Sequence, residues 1–266
     1  MDDLDRLVRA VESSPKYRFV EGQVVRRIGS RELLSGRGWK EAVKETKRKL
    51  HQAGAAYLEG SIDYGAWLGR LQAAAASPDP NALRRVCEQA MQLQSSTRER
   101  LPILPQFYAE TLGRLPRIRT VVDLACGLNP LAIPWMPLGS DAQYYAFDMY
   151  KDMAAFLHAF LSVVGIRGEA RAVDVLDLRL NQRADVALIL KSLPSLEELD
   201  RAAAGRLLEG LNAEHLLVSF PVRSLGGRNK GMLRNYEVHF RDLVRGRPWS
   251  VQRFEFATEL AFLVSR

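Results

Sequence analysis

Apolar residues recur at helical spacing from the start of the chain. Leu4, Leu7, Val8 and Val11 share one face of a first helix, which Pro15 closes. The same period predicts helices over 38–57, 64–76, 81–100 and 107–115. A turn with two prolines separates the second and third of these, and Pro102 and Pro105 interrupt the path to the last. No strand-like alternation precedes Thr120. Short apolar runs then follow at 121–127 (VVDLACG), 144–148 (YYAFD), 170–175 (ARAVDV), 185–190 (DVALIL) and 215–220 (HLLVSF), each reading as a buried parallel strand. Helical patterns fall between them at 151–164 and 196–211, and the final sixteen residues read as two antiparallel strands meeting near Ala257 and Thr258. Strands alternating with helices imply right-handed crossovers and a parallel sheet. The predicted fold class is α/β: an all-helical N-terminal domain, 1–105, followed by a doubly wound domain, 106–266, with the boundary between Arg100 and Arg119.

Composition narrows the class. With 47% hydrophobic residues in 266, the chain can bury a substantial core. No apolar run reaches the roughly 18–20 residues of a membrane-spanning helix. The acidic, amphipathic start reads as neither a secretory signal nor an Arg-rich transit peptide. Two cysteines, Cys87 and Cys126, make no disulfide framework and lack the clustering of a zinc site, so the expectation is a reduced, cytoplasmic compartment and no metal. The formal charge of +7 is unevenly placed. Lys16 to Lys49 carry eleven basic and four acidic residues, and Arg223 to Arg247 carry seven basic and two acidic, leaving the rest of the chain net acidic. Two basic tracts on an acidic background suggest a phosphate footprint. Within 40–50, the spacing also predicts ordinary helix-surface pairs, Glu41 with Lys44 and Glu45 with Lys49.

Candidate chemistry lies where the strands end. In an open α/β sheet, ligands bind beyond the carboxyl ends of the strands near the switch point. The first strand runs into Asp123-Leu124-Ala125-Cys126-Gly127-Leu128-Asn129-Pro130, small residues that let a ligand approach the backbone. Asp148 ends the second strand, where a carboxylate can accept hydrogen bonds from ribose hydroxyls, and Asp174 near the end of the third can reach an adenine amino group. A dinucleotide loop would be G-x-G-x-x-G, whereas this one has a single glycine. S-adenosylmethionine has ribose and adenine without a diphosphate, which favours a methyltransferase over a dehydrogenase.

Several strings then coincide with one family: LHQAGAAYL (50–58), STRER (96–100), VVDLACGLNP (121–130), YYAFDMY (144–150), LILKSLPSLE (188–197) and SFPVRSLGGRNKGM (219–232). In this the chain resembles the aminoglycoside-resistance methyltransferases that modify guanine N7 at nucleotide 1405 of 16S ribosomal RNA. The resemblance implies a helical RNA-docking domain joined to a Rossmann-like class I methyltransferase domain, S-adenosyl-L-methionine as cofactor, and the 30S subunit as partner. It also implies roles for particular residues. Arg100 would pair with the cofactor's methionine carboxylate, through a guanidinium fork suited to that task. Ala125 and Gly127 would line the cofactor, Asp148 would hold its ribose, Asp174 and Val175 would border the adenine, and Leu190 would pack beside it. Glu198, Leu199 and Asp200 occupy the stretch where the family carries a further polar contact, and no equivalent is assigned there.

The chemistry asked of such a site is modest. Guanine N7 carries an in-plane lone pair and no proton, so no general base is needed. No Ser-His-Asp, Cys-His or paired-carboxylate set stands out to supply one, and His51, His158, His215 and His239 are scattered. N7 faces the deep, narrow major groove of A-form RNA, so the base must be distorted or flipped to be reached. Candidates to contact RNA or the target base are Lys191, at the end of the fourth strand, and Pro221, Arg223, Ser224, Arg228 and Lys230 in the glycine-rich loop after Phe220. Trp39, Trp67 and Trp249 read as packing residues. Two competing readings remain at this point: a small-molecule methyltransferase with an accessory helical domain, and a ribosome-binding protein without catalysis.

Overall fold

A computed structural model describes residues 2–55, 61–179, 183–222 and 232–266. Helices α1 (Asp3–Glu12), α2 (Gly22–Leu34), α3 (Trp39–Leu50), α4 (Tyr64–Ala75), α5 (Ala82–Met91), α6 (Ser95–Arg100) and α7 (Leu104–Glu110) precede the first strand. Strands β1 (Thr120–Leu124), β2 (Gln143–Asp148), β3 (Arg167–Ala172), β4 (Ala184–Leu190), β5 (Ala213–Pro221), β6 (Ser250–Glu255) and β7 (Glu259–Ser265) form one sheet in the order β3-β2-β1-β4-β5-β7-β6. Pairings among β1 to β5 are parallel, and β7 runs antiparallel to both β5 and β6. Helices α8 (Lys151–Val163), α9 (Leu193–Leu199), α10 (Ala203–Gly210) and α11 (Met232–Val244) complete the chain. The α/β class, the parallel sheet and the terminal hairpin follow the sequence reading.

Alternation along the strands sorts the core into two layers. Val186, Leu188 and Leu190 of β4 face a cluster with Phe156, Leu157 and Phe160 of α8, whereas Ala187 and Ile189 face Leu207 and Leu208 of α10 and Phe240 of α11. The first cluster continues without a break into the N-terminal helices, through Leu7, Val25, Ile28, Leu50 and Met91. The helical region is thus packed on one face of the sheet. A short backbone ladder reinforces this: the amide of Glu21 donates to the carbonyl of Met149 (2.8 Å) and that of Lys151 to Phe19 (2.7 Å).

Several element boundaries differ from the sequence pattern, each for a tertiary reason. The predicted helix over 81–100 is two helices, because Gln94 is extended and its side chain accepts from the amide of Leu128 (2.6 Å). The one over 196–211 breaks at extended Asp200, whose carboxylate binds Arg31 and Arg206. The helix over 38–57 ends at Leu50 and passes into a π turn, His51–Ala55. The strands predicted at 121–127 and 170–175 stop at Leu124 and Ala172, leaving Ala125, Gly127, Asp174 and Val175 in loops. Helices α2 and α11 occupy segments for which the hydrophobic pattern predicts no separate helix. The expected pairs on α3 do not form. Glu45 pairs with Arg48 (2.7 Å), and Lys49 turns inward to buried Glu32 (2.6 Å), a stronger attraction than a solvated neighbour.

Candidate functional site

Strand order reverses between β1 and β4, and a cavity opens beyond their carboxyl ends. Register aligns the strand ends: Leu124 lies beside Phe147, and Asp148 beside Ala172. Ala125, Asp148, Asp174, Val175, Leu190 and Lys191 line the cavity together. Backbone conformation there is unusual. Ala125 (φ 48°) and Lys191 (φ 58°) are the non-glycine residues in the left-handed region among those described, and Gly127 (φ 51°) joins them. Such strain persists where the surroundings fix it, as at ligand sites. Gly127 also has a steric reason, since a Cβ there would lie 2.3 Å from the amide end of Gln94.

Asp148 is held by backbone. Its Oδ2 accepts from the Gly127 amide (2.8 Å) and Oδ1 from the Met149 amide (2.7 Å). Burial pushes its carboxyl above the ordinary range, and the amide bonds oppose this. Asp174 is held by a helix outside the sheet: Arg27 of α2 lays its Nε and Nη2 against the carboxylate, and the amide of Leu176 donates to Oδ1 (3.1 Å). Arg27 and Val24 thereby form one wall of the cavity, and Gln94, Ser96 and Tyr150 belong to its lining as well. Three lining groups are buried with no hydrogen-bond partner: Arg27 Nη1, Tyr150 OH and Ser192 Oγ. Unsatisfied polar atoms on residues that line a cavity of mixed polar and apolar character fit a polar, ribose- and base-bearing ligand.

A second polar system lies behind the loop. Arg100 is 1% exposed. Its Nη2 and Nε bond Glu259 (2.7 and 3.0 Å), and its Nη1 bonds Asn129 Oδ1 (2.7 Å). Asn129 donates on to Asp123 Oδ2 (2.8 Å), which also accepts from Tyr144 OH (2.6 Å). Lys191 closes the circuit, its ammonium meeting Glu259 (3.3 Å), Glu99 (3.0 Å) and the Ser96 carbonyl (3.1 Å). Burial alone would push the Glu259 carboxyl up, but the charges of Arg100 and Lys191 hold it below its usual value. Burial pushes Asp123 up to about 6, even against its bonds from Asn129 and Tyr144.

Residues 13–263 match the family described as ribosomal RNA methyltransferase (FmrO). The 16S rRNA (guanine(1405)-N(7))-methyltransferase of Micromonospora rosea is 39% identical over 267 residues, covering 100% of this chain and 97% of its own. The protein of the same description from Frankia casuarinae is 40% identical over 266 residues, covering 99% and 94%. The crystal structure of 16S rRNA methyltransferase RmtF in complex with S-adenosyl-L-homocysteine superposes with a TM-score of 0.86 at 30% identity, covering 100% of this chain and 99% of that one. The chain belongs to the FmrO family of ribosomal RNA methyltransferases.

Within this FmrO-family chain, the expected site residues fall into three groups. Ala125, Asp148, Asp174, Val175, Leu190 and Lys191 share the cavity. Gly127 and Arg100 lie behind it, the first shaping the loop and the second bound to Glu259 and Asn129. A ligand carboxylate would reach Arg100 only by entering that closed network. Arg223, Ser224, Arg228 and Lys230 lie outside the described residues. The sequence reading missed Arg27, Gln94, Ser96, Tyr150 and Glu259. Gln94 and Ser96 sit in or beside the STRER string, which was the signal available for them. Among the described residues, no group of three or more His, Cys, Asp or Glu is placed to hold a metal, Cys87 and Cys126 are free and buried, and no helix is long and apolar enough to cross a membrane.

The raised Asp123 carboxyl gives a pH prediction. An acid with a higher value folded than unfolded binds more protons in the native state between the two values, so its contribution to stability falls as pH rises from about 4 to about 6. Asp123→Asn removes that dependence. Thermal midpoints measured from pH 4 to 7 should show wild type losing stability relative to the variant across this window, and parallel profiles would refute the assignment.

Proposed function

We infer that this chain transfers a methyl group from S-adenosyl-L-methionine to N7 of guanine 1405 in 16S rRNA, acting in the cytoplasm on the assembled 30S subunit and conferring aminoglycoside resistance. The observation that carries this is the convergence of Ala125, Asp148, Asp174 and Leu190 on the switch-point cavity of a chain matching the family over 13–263. When bound, the cofactor supplies an electrophilic methyl on a sulfonium. Asp148, fixed by two amides, has acceptor capacity left for ribose hydroxyls, and Asp174 for the adenine amino group. Val175, Leu190 and Met153 supply apolar walls and keep out water. Because N7 needs no deprotonation, positioning carries the catalysis, with nucleophile and methyl held in line. The product guanine bears a fixed positive charge and a methyl group on its major-groove edge, both unfavourable to a cationic drug.

The helical region, 1–105, docks on RNA in this account, and 106–266 performs the transfer. Lys191 sits at the cavity, and Arg223, Arg228 and Lys230, which follow β5 in sequence, meet the phosphates or the target base. Replacing Arg228 and Lys230 together with alanine should weaken 30S capture at least about tenfold, since each phosphate contact contributes through counterion release. Co-sedimentation measures this, and calorimetry should show cofactor affinity unchanged. Equal sedimentation would remove the loop from the interface. With radiolabelled donor, wild type should place label in 16S rRNA, and label found only in small molecules would overturn the inference.

A further inference from the structure

We propose that Arg27, supplied by the helical region, reads the adenine of the cofactor jointly with Asp174; this rests on the cofactor reading above. A carboxylate offers about four lone-pair sites. On Asp174, Oδ1 accepts from Leu176 N and Arg27 Nη2, and Oδ2 accepts from Arg27 Nε, which leaves one site on Oδ2. Arg27 Nη1 is buried and without a partner, and the residue lines the same cavity. The ion pair thus carries one free acceptor site on Oδ2 and, on the same cavity wall, an unpartnered Nη1 with two N–H donors. Adenine has the complementary edge: an amino donor at C6 flanked by ring acceptors N1 and N7. Hypoxanthine carries an oxygen at C6 instead, which would face the carboxylate unfavourably.

Arg27 is rigidly placed for this task. Arg31, one turn further along α2, donates to the Leu199 carbonyl (3.0 Å) and to Asp200 (2.7 Å), and Leu199 itself lines the cavity. Glu21, just before α2, is bonded to Met149 beside Asp148 (2.8 Å). The helix is pinned to both rims, so its Arg27 donor is held in position before the ligand arrives. The buried fork also rules out lysine as an equivalent, because an ammonium cannot hold Asp174 on two nitrogens and still present a third.

Calorimetry with S-adenosylhomocysteine, its 1-deaza and 7-deaza analogues and S-inosylhomocysteine tests this on wild type, Arg27→Ala and Arg27→Met, the last keeping the apolar stem. Wild type should lose about tenfold in affinity to whichever deaza analogue lacks the nitrogen that Arg27 meets, and more to the inosyl compound. S-adenosylhomocysteine should bind each variant about tenfold more weakly, and the deaza penalty should vanish in both. A deaza penalty undiminished in the variants, or absent in wild type for both analogues, overturns the proposal. Failure of wild type to bind S-adenosylhomocysteine at all would instead overturn the cofactor reading beneath it.

Discussion

Asp148→Ala is expected to lower affinity for S-adenosylmethionine by at least about a hundredfold. Hydrogen bonds to a charged acceptor contribute roughly 1.5–3 kcal/mol each, and the cofactor brings two ribose hydroxyls to one carboxylate. The residue ends β2, beside the switch point, and its orientation is set by the amides of Gly127 and Met149. Alanine removes the ligand's acceptor and also frees two backbone donors at the cavity floor. Asp148→Asn separates these effects. It keeps one acceptor oxygen and the side-chain volume, so its loss should be smaller than that of alanine. Calorimetric titration measures both, and circular dichroism confirms that each variant is folded. An alanine variant within threefold of wild type would show that the ribose is not held there.

Arg100→Ala should destabilise the fold by about 3–5 kcal/mol, a large part of the roughly 5–15 kcal/mol that holds a domain together. The reason is what remains behind. Glu259 is fully buried and loses its bidentate partner, and Asn129 loses a donor to its side-chain oxygen. Lys191 still faces Glu259 at 3.3 Å but approaches only one oxygen. Arg100→Lys should also be costly, because a single ammonium cannot bridge Glu259 and Asn129. The double variant Arg100→Ala with Glu259→Ala should cost less than the sum of the two single changes, since it leaves no unpaired carboxylate. Urea denaturation measures the series. A single-variant loss below about 1 kcal/mol would mean that the network is not integral to the fold.

What the sequence made legible was local. The carboxyl ends of β1 and β2 stood out because short apolar runs end in Asp123-Leu124-Ala125-Cys126-Gly127 and in Asp148. Parallel strands buried on both faces leave such runs, and the residue that follows is the one exposed to ligand. The side-chain pairs that close the cavity wall and the network behind it left no such trace. Arg27 meets Asp174 across 147 positions, and Arg100 meets Glu259 across 159. No periodicity reports a contact of that separation, and among the many basic residues of 16–49 nothing marked Arg27 as the partner of Asp174. The breaks after Met91 and after Leu199 were hidden for the same reason. The sequence there is compatible with helix, and a distant partner, the Leu128 amide or Arg31, draws the backbone out of it. Arg100 shows the converse. Its string was conspicuous, yet in the fold its guanidinium faces Glu259, a residue that looks in sequence like any polar position at the start of an edge-proximal strand.

The central claim is methylation of one ring nitrogen in ribosomal RNA, and primer extension on treated 30S particles tests it most directly. Particles are incubated with the enzyme and S-adenosylmethionine, and their RNA is then reduced with borohydride and cleaved with aniline, which breaks the chain at N7-methylguanine. A strong stop is expected at guanine 1405 of 16S rRNA, dependent on both enzyme and cofactor and missing with Asp148→Ala. Full-length extension through that nucleotide, under conditions where the enzyme binds both cofactor and subunit, would contradict it.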